Sequence, residues 1–362
     1  MQLLSLHSLH EQVGARFRGV SGAEVVLSYE DVPGEYAALS NAAGLLDLSS
    51  RGRLCLTGED RVRFLHGQVS NDVKRLTLGQ GCYAALITAK GKMEADLNLY
   101  CLADEILLDF EPGLEQRVTA RLEKYVIADD VQVCPVHDLY GLLSIQGPRA
   151  AAAVQSAGFI TDVPGAPFQI VKHEVPDGEI CIVNQPRLGT AGFDFFTPVA
   201  ALASLFERLS SAAKSVGGRG AGWDAFEIAR VEQGIPRFGM DMDETNIPLE
   251  AGIETRAISF DKGCYIGQEV ISRIRTYGHV TKSLCGLRFD PGLTLLPVKG
   301  DSLYHGGKPV GYITSAVRSP RLKANIALAY VRNGSTEAGA RLSLESAEDA
   351  PQAEISALPF KA

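Results

Sequence analysis

The strongest constraint on the fold is the way hydrophobic period changes along the chain. LLDLSSRGRLCLTG reads as a strand, whereas in GEDRVRFLHGQVSNDVKRL the residues Val62, Leu65, Val69, Val73 and Leu76 recur at helical spacing. Residues 82–110 then alternate apolar and polar, with turn signals near Lys90-Gly91 and Ala103-Asp104 that predict an antiparallel meander. A helical stretch, LEQRVTARLEKY, and a final strand, VIADDVQVCPV, complete a strand–helix–strand–strand–helix–strand order over 51–136. That order fits a ferredoxin-like α+β unit, because two helices can cover only one face of one antiparallel sheet.

The same grammar repeats around this block. GEYAALSNAAG predicts a helix closed by Gly44. From 140 to 200, YGLLSIQ is strand-like, GPRAAAAVQSAG is a helix with Pro148 in its first turn, and EICIVNQPRLGTAGFDFFTPV is two strands. VAALASLFERLSSAAKSV and WDAFEIARVEQG follow as helices, the latter stopped by Gly234 and Pro236; Trp223 and Phe226 are expected in the core. Beyond about 280 the helical period is lost, and short strands between turn residues predict a small all-β domain.

Composition narrows the function classes. A chain of 362 residues with 46% hydrophobic and 22% charged residues is an ordinary globular protein of two or three domains. Its net charge of −8 supplies no basic field for nucleic acid, and no apolar run is long enough to span a membrane. MQLLSLHSLHEQVGARF reads as an amphipathic helix rather than a leader, so a cytoplasmic location is expected. The seven cysteines form no CxxC pair, which argues against a disulfide framework or a self-contained metal or cluster site. Cys55, Cys101, Cys134 and Cys181 sit in apolar strand-like runs, as small buried hydrophobes do.

Cys264 is framed differently, in KGCYIGQE. Apolar spacing predicts a helix from about Gly267, with Glu269 in its first turn and Cys264 just outside its N-terminus. Free N–H groups, the helix dipole and Lys262 would all favour a thiolate there, while Gly263 and Gly267 permit close backbone approach. A reactive thiol and a tight structural turn are both compatible with the stretch. His279 is the nearest histidine in sequence, in a predicted loop; His66 and His137 read as ordinary helix-face and loop residues.

KGCYIGQEV resembles the signature of the YgfZ family, folate-binding, aminomethyltransferase-like factors that maintain iron–sulfur enzymes; mitochondrial relatives act late in 4Fe–4S protein assembly. AGLLDLSSRGRLCLTGEDRVRFLHGQVSND, GKMEADLNLY, RVEQGIPRFGMDM, IPLEAG and GKPVGYITSAVRSPRLKANIALAYV resemble the wider superfamily that includes the glycine cleavage T-protein. The resemblance implies a three-domain α+β fold: two ferredoxin-like α+β domains and a C-terminal β-barrel-like domain around a central channel for tetrahydrofolate. The implied domains are a discontinuous folate-binding domain at 1–50 and 137–279, a ferredoxin-like domain at 51–136, and the barrel at 280–362.

Two departures separate the chain from the transferase branch. The paired acids of a GGxxDDL stretch are reduced to Ala95 and Asp96 in GKMEADL, and the YTGEDGFE-like turn keeps Gly192, Phe193 and Asp194 but loses its Gly-Glu-Asp element. That branch carries an acid or amide where this chain has Cys264. The resemblance implies Cys264 and Lys262 as the reactive pair, shaped by Gly263, Tyr265, Gly267, Gln268 and Glu269. For folate it implies Arg230 as a cation, which could equally pair with Glu227 or Glu232, and Asp96, Asn98 and Tyr100 on one strand face. The function it implies is synthesis or repair of iron–sulfur enzymes, with those enzymes or assembly factors as partners and no nucleic acid or membrane. Rival readings are a folate-dependent aminomethyltransferase, a non-catalytic scaffold for iron–sulfur apoproteins, and a fold retained after folate binding was lost.

Overall fold

The computed structural model describes residues 1–158, 163–291, 293, 295–346 and 351–361. The chain forms two compact units, Met1–Ala84 with Ala95–Ala229, and Ala85–Glu94 with Arg230–Ala362.

The first unit holds most of two large sheets, and the two-stranded sheet of Arg16–Val20 with Ala23–Ser28. The predicted meander turns twice, giving strands Gly81–Ile87, Met93–Cys101 and Ile106–Phe110. With Gly52–Thr57 and Gln132–Pro135 they make a five-stranded sheet, one strand more than the minimal ferredoxin-like unit. The six-stranded sheet runs in the order Ile170–Val175, Gly178–Asn184, Gly192–Pro198, Tyr140–Gln146, Gly44–Asp47, Arg219–Gly220. One of its faces buries Leu143, Ile145, Phe193 and Phe195 against Leu202, Leu205, Phe206 and Leu209 of the Val199–Ser215 helix. The other contributes Leu142, Cys181, Val183 and Phe196 to a second apolar cluster with Cys55, Tyr100 and Leu107 from the five-stranded sheet. Phe226 lies in the same cluster and Trp223 is buried beside it. Alternation thus decides which core each side chain enters.

Two local expectations fail for identifiable reasons. The helix expected to close at Gly44 spans Val32–Asn41, and Gly44 instead begins a strand, where a Cβ would collide with Leu39. The helical spacing through Leu76 breaks at Val69: the helix is Arg61–Gln68, followed by a 3-10 turn at Val73–Arg75. Asn71 and Asp72 break it, because Asn71 Nδ2 donates to the Tyr83 carbonyl (2.8 Å) and Asp72 Oδ1 caps the Arg75 N–H (3.3 Å).

The second unit holds a closed six-stranded barrel. Its order is Lys282–Phe289, Ala324–Arg332, Lys308–Ser319, Ser302–His305, Arg341–Ser343, Gln352–Ser356, closed by pairing of the last strand with the first. Leu287, Leu303, Ile313, Ala327, Ala329 and Val331 fill the interior, so their strand neighbours face outward. No helix among the described residues is long and apolar enough to cross a membrane.

Candidate functional site

Strand Met93–Cys101 alternates strictly at its start. Met93, Ala95, Leu97 and Leu99 are fully buried on one face, which leaves Asp96, Asn98 and Tyr100 on the other. Asp96 Oδ2 accepts a hydrogen bond from the Tyr83 hydroxyl (2.8 Å), while its Oδ1 is buried without a partner. Burial, with the negative Glu111 nearby, pushes the carboxyl up to about 6 against the stabilising Tyr83 bond. A carboxyl that titrates close to neutrality and has one vacant acceptor can take up or release a proton there.

Asn98 and Tyr100, expected to line the same face, are both occupied by the protein. Asn98 pairs with Asp109 in register. Its Nδ2 donates to Asp109 Oδ2 (2.8 Å), and its Oδ1 accepts from Gln185 (3.1 Å). Asp109 is the hub of a buried ionic network: it also accepts from Arg51 Nε (2.6 Å) and Arg187 Nη2 (2.7 Å). Arg51 reaches on to Glu111, and Arg187 bridges to Asp194 (2.6 Å). Burial alone would raise the Asp109 carboxyl, but the two guanidiniums hold it well below the usual range. For Asp194 burial wins over Arg187 and the carboxyl is pushed up. The Tyr100 ring is fully buried between Phe168 and Phe196, so it belongs to the core and presents no exposed stacking face.

Sequence reasoning missed Arg51, Tyr83, Asp109, Glu111 and Arg187. The available signal was an acid inside the apolar run EILLDF, since a buried carboxylate demands cations from elsewhere in the fold.

Arg230 is also committed. It is 1% exposed, and its Nη1 donates to Asp241 (2.7 Å) and the Ile235 carbonyl (3.1 Å), its Nη2 to Ser315 (2.8 Å). This corrects the expectation of an accessible cation, since the side chain is buried and held by Asp241 and Ser315. The arginine ties its helix end to the barrel strand Lys308–Ser319.

KGCYIGQE forms a turn ahead of the helix Gln268–Tyr277. Gly267 is its N-cap with φ of 86°, and the Tyr265 carbonyl accepts from the Gln268 N–H (3.2 Å). A Cβ on Gly267 would lie 2.5 Å from the Thr88 carbonyl oxygen, so only glycine fits against the 85–94 hairpin. Cys264 is the one cysteine of the seven in an exposed position; the others are buried or half-buried. Lys262 is buried with its ammonium 4.9 Å from the Tyr265 ring centroid, and burial pushes the Tyr265 hydroxyl up to about 12. Gly263 is exposed, and Glu269 is paired with Arg273 on the outer surface (2.6 Å). Glu269 is therefore in the first turn, as expected, but points its charge along the helix.

Comparison with known proteins agrees with this architecture. The GCVT N-terminal domain family matches residues 6–262, and the glycine cleavage T-protein C-terminal barrel domain matches 282–361. An aminomethyltransferase of Rubrobacter xylanophilus is 30% identical over 90% of this chain and 86% of its own. One from Thermoanaerobacter pseudethanolicus is 27% identical over 94% and 92%. The crystal structure of the glycine cleavage system aminomethyltransferase T from Bartonella henselae superposes with a TM-score of 0.89 at 25% identity, covering 99% of this chain and 98% of that one. With a family match over most of its length and the same barrel at its end, the chain belongs to the GCVT aminomethyltransferase family.

Proposed function

We propose that the protein binds tetrahydrofolate and acts as a YgfZ-type member of this family, supporting the synthesis or repair of iron–sulfur enzymes. Tetrahydrofolate supplies the nitrogen carrier of a one-carbon unit. The test of fit is the vacant acceptor on Asp96: a pterin edge carries N–H donors, and Oδ1 is a buried oxygen that lacks one. Asp96 would hold that edge and move a proton at Oδ1, with Tyr83 fixing the carboxyl through Oδ2.

The observation that carries the YgfZ-type reading is Cys264. It is the exposed thiol of the chain, and it stands on a backbone that Gly267 alone permits. The acids of the transferase pattern are depleted in this chain: Ala95 stands where one would be, and Asp194 is locked to Arg187. On this reading Cys264 works as the reacting thiol, Lys262 and Tyr265 brace the turn, and iron–sulfur enzymes or their assembly factors are the partners.

A second reading is folate-dependent aminomethyl transfer. The names of the relatives support it more directly than the first, and the raised Asp96 carboxyl gives it a proton-handling group. One experiment separates the two. Cells lacking their own counterpart receive the wild type, Cys264→Ala or Asp96→Asn, and a 4Fe–4S enzyme is assayed at matched protein levels. The purified proteins are assayed in parallel for tetrahydrofolate binding and for transfer from an aminomethyl donor. Rescue that is lost with Cys264→Ala supports the first reading. Transfer that survives Cys264→Ala and is lost with Asp96→Asn supports the second. Absence of tetrahydrofolate binding by calorimetry defeats both.

A further inference from the structure

The outer face of the barrel carries a cavity of about 240 Å³ lined by Lys282, Tyr312, Tyr330 and Arg332, with Pro309 to Gly311 along one side. Neither Asp96 nor Cys264 is among its lining residues. The register explains how it forms. Lys282 pairs directly with Arg332 across two antiparallel strands, and Tyr312 pairs directly with Tyr330 on the next rung. The interior residues Ile313, Ala329 and Val331 alternate with these positions, so the four side chains share the outward face.

This arrangement is costly as it stands. Like charges directly opposite one another on antiparallel strands repel. Among the described residues neither Lys282 nor Arg332 is in ion-pair contact with a carboxylate. Asp243 feels the Lys282 charge without contacting it. Lys282 Nζ donates to the Tyr312 hydroxyl (2.8 Å) and stands 4.6 Å from the Tyr330 ring centroid and 5.1 Å from that of Tyr312. The two rings are 5.5 Å apart, inclined by 37°. Tyr330 is 1% exposed, and its hydroxyl is buried without a hydrogen-bond partner. Two cations and an orphaned hydroxyl therefore gather around one cavity whose lining holds no carboxylate, although Asp241, Glu250 and Asp243 lie close enough to add to burial in pushing the Tyr330 hydroxyl up. The chain as a whole is acidic, so general surface charge does not account for the cluster.

We propose that this cavity is a binding site for a small carboxylate carried on a flat apolar body, an aromatic carboxylate of benzoate size. The carboxylate would neutralise Lys282 and Arg332, where two N–H donors in a fork favour two oxygens in a plane. The flat body would lie along the partly exposed Tyr312 ring, where stacking adds to burial. At roughly 30 Å³ per water the space equals about eight waters, enough for a ring and a carboxylate but not for a much larger ligand. Gly311 allows the close strand pairing beneath the wall, because a Cβ there would press into the Tyr330 carbonyl.

The test is calorimetric titration of the full-length protein with benzoate, acetate and inorganic phosphate at one ionic strength. Benzoate is expected to bind at one site, more tightly than acetate or phosphate, and to weaken as potassium chloride is raised. Lys282→Met is expected to weaken benzoate about tenfold or more, the size of a lost charged hydrogen bond. Tyr330→Phe is expected to weaken it several-fold while leaving Tm unchanged or higher, since it removes a hydroxyl that the free protein leaves unsatisfied. A lower Tm with unchanged benzoate affinity in Tyr330→Phe would mark a purely structural tyrosine and overturn the proposal. So would phosphate binding more tightly than benzoate, benzoate failing to saturate by about 50 mM, or equal affinity in Lys282→Met.

Discussion

Replacing Asp96 by asparagine should stabilise the protein at neutral pH, and the magnitude can be worked from the carboxyl's surroundings. A folded value of about 6 against an ordinary 3.8 corresponds to about 3 kcal/mol at roughly 1.4 kcal/mol per decade. Asp96 keeps partial contact with solvent, which screens the effect, so about 1.5 kcal/mol is the working figure. The sign follows from the direction of the shift. A carboxyl raised on folding favours the native state when protonated, so its contribution is complete below about pH 4 and lost as pH rises through about 6. Asparagine cannot ionise, and it keeps an oxygen for the Tyr83 hydroxyl. Urea unfolding of wild type and Asp96→Asn from pH 3.5 to 8 should therefore give curves that coincide in acid and diverge between pH 4 and 6. The variant should be more stable by about 1.5 kcal/mol at pH 8. Asp109, whose carboxyl is held low, loses its stabilising contribution in acid in both proteins and cancels from the difference. Equal stability at pH 8, or a gap independent of pH, would refute the assignment of Asp96 as a strained, proton-handling acid. A stabilised variant that has lost function would show the usual tension between a working site and a relaxed one.

Three further outcomes follow from the geometry. Arg230→Met should cost about 3–5 kcal/mol by chemical denaturation, because it strands the buried Asp241 carboxylate; adding Asp241→Asn should recover much of that loss. Gly267→Ala should lower stability by about 1–3 kcal/mol, since its φ of 86° and the Thr88 carbonyl both exclude a Cβ, and a scan of Tm reads this directly. In the native protein one thiol should react rapidly with a disulfide reagent, and Cys264→Ser should abolish that phase, because Cys55 and Cys181 are buried and burial pushes both thiols up.

Much of the architecture was legible in local pattern. The period-two alternation of GKMEADLNLY placed Asp96, Asn98 and Tyr100 on one face, and the spacing after Gly267 located the helix that follows Cys264. The failures share a cause. Asn71 and Asp72 ended a helix whose apolar spacing continued, since side chain to backbone bonds are invisible to a periodicity count. Arg230 read as a cation for folate or for a surface bridge, because its partner Asp241 reaches it only after the chain turns at Gly234 and Pro236.

The sequence by itself determined where most strands and helices lie, though not where each one ends, that the chain ends in an all-β domain, and that KGCYIGQE is a glycine-framed turn. These depend on neighbours a few residues apart. Only the tertiary structure decided which acids are available for chemistry. Asp96, Asp109 and Asp194 are equivalent as letters, yet Arg51 and Arg187 neutralise one, Arg187 claims another, and Asp96 alone of the three keeps a vacant buried oxygen. The physical reason is that the state of a buried carboxyl depends on the charges and donors within a few ångströms, and the two guanidiniums on Asp109 come from residues 58 and 78 positions away.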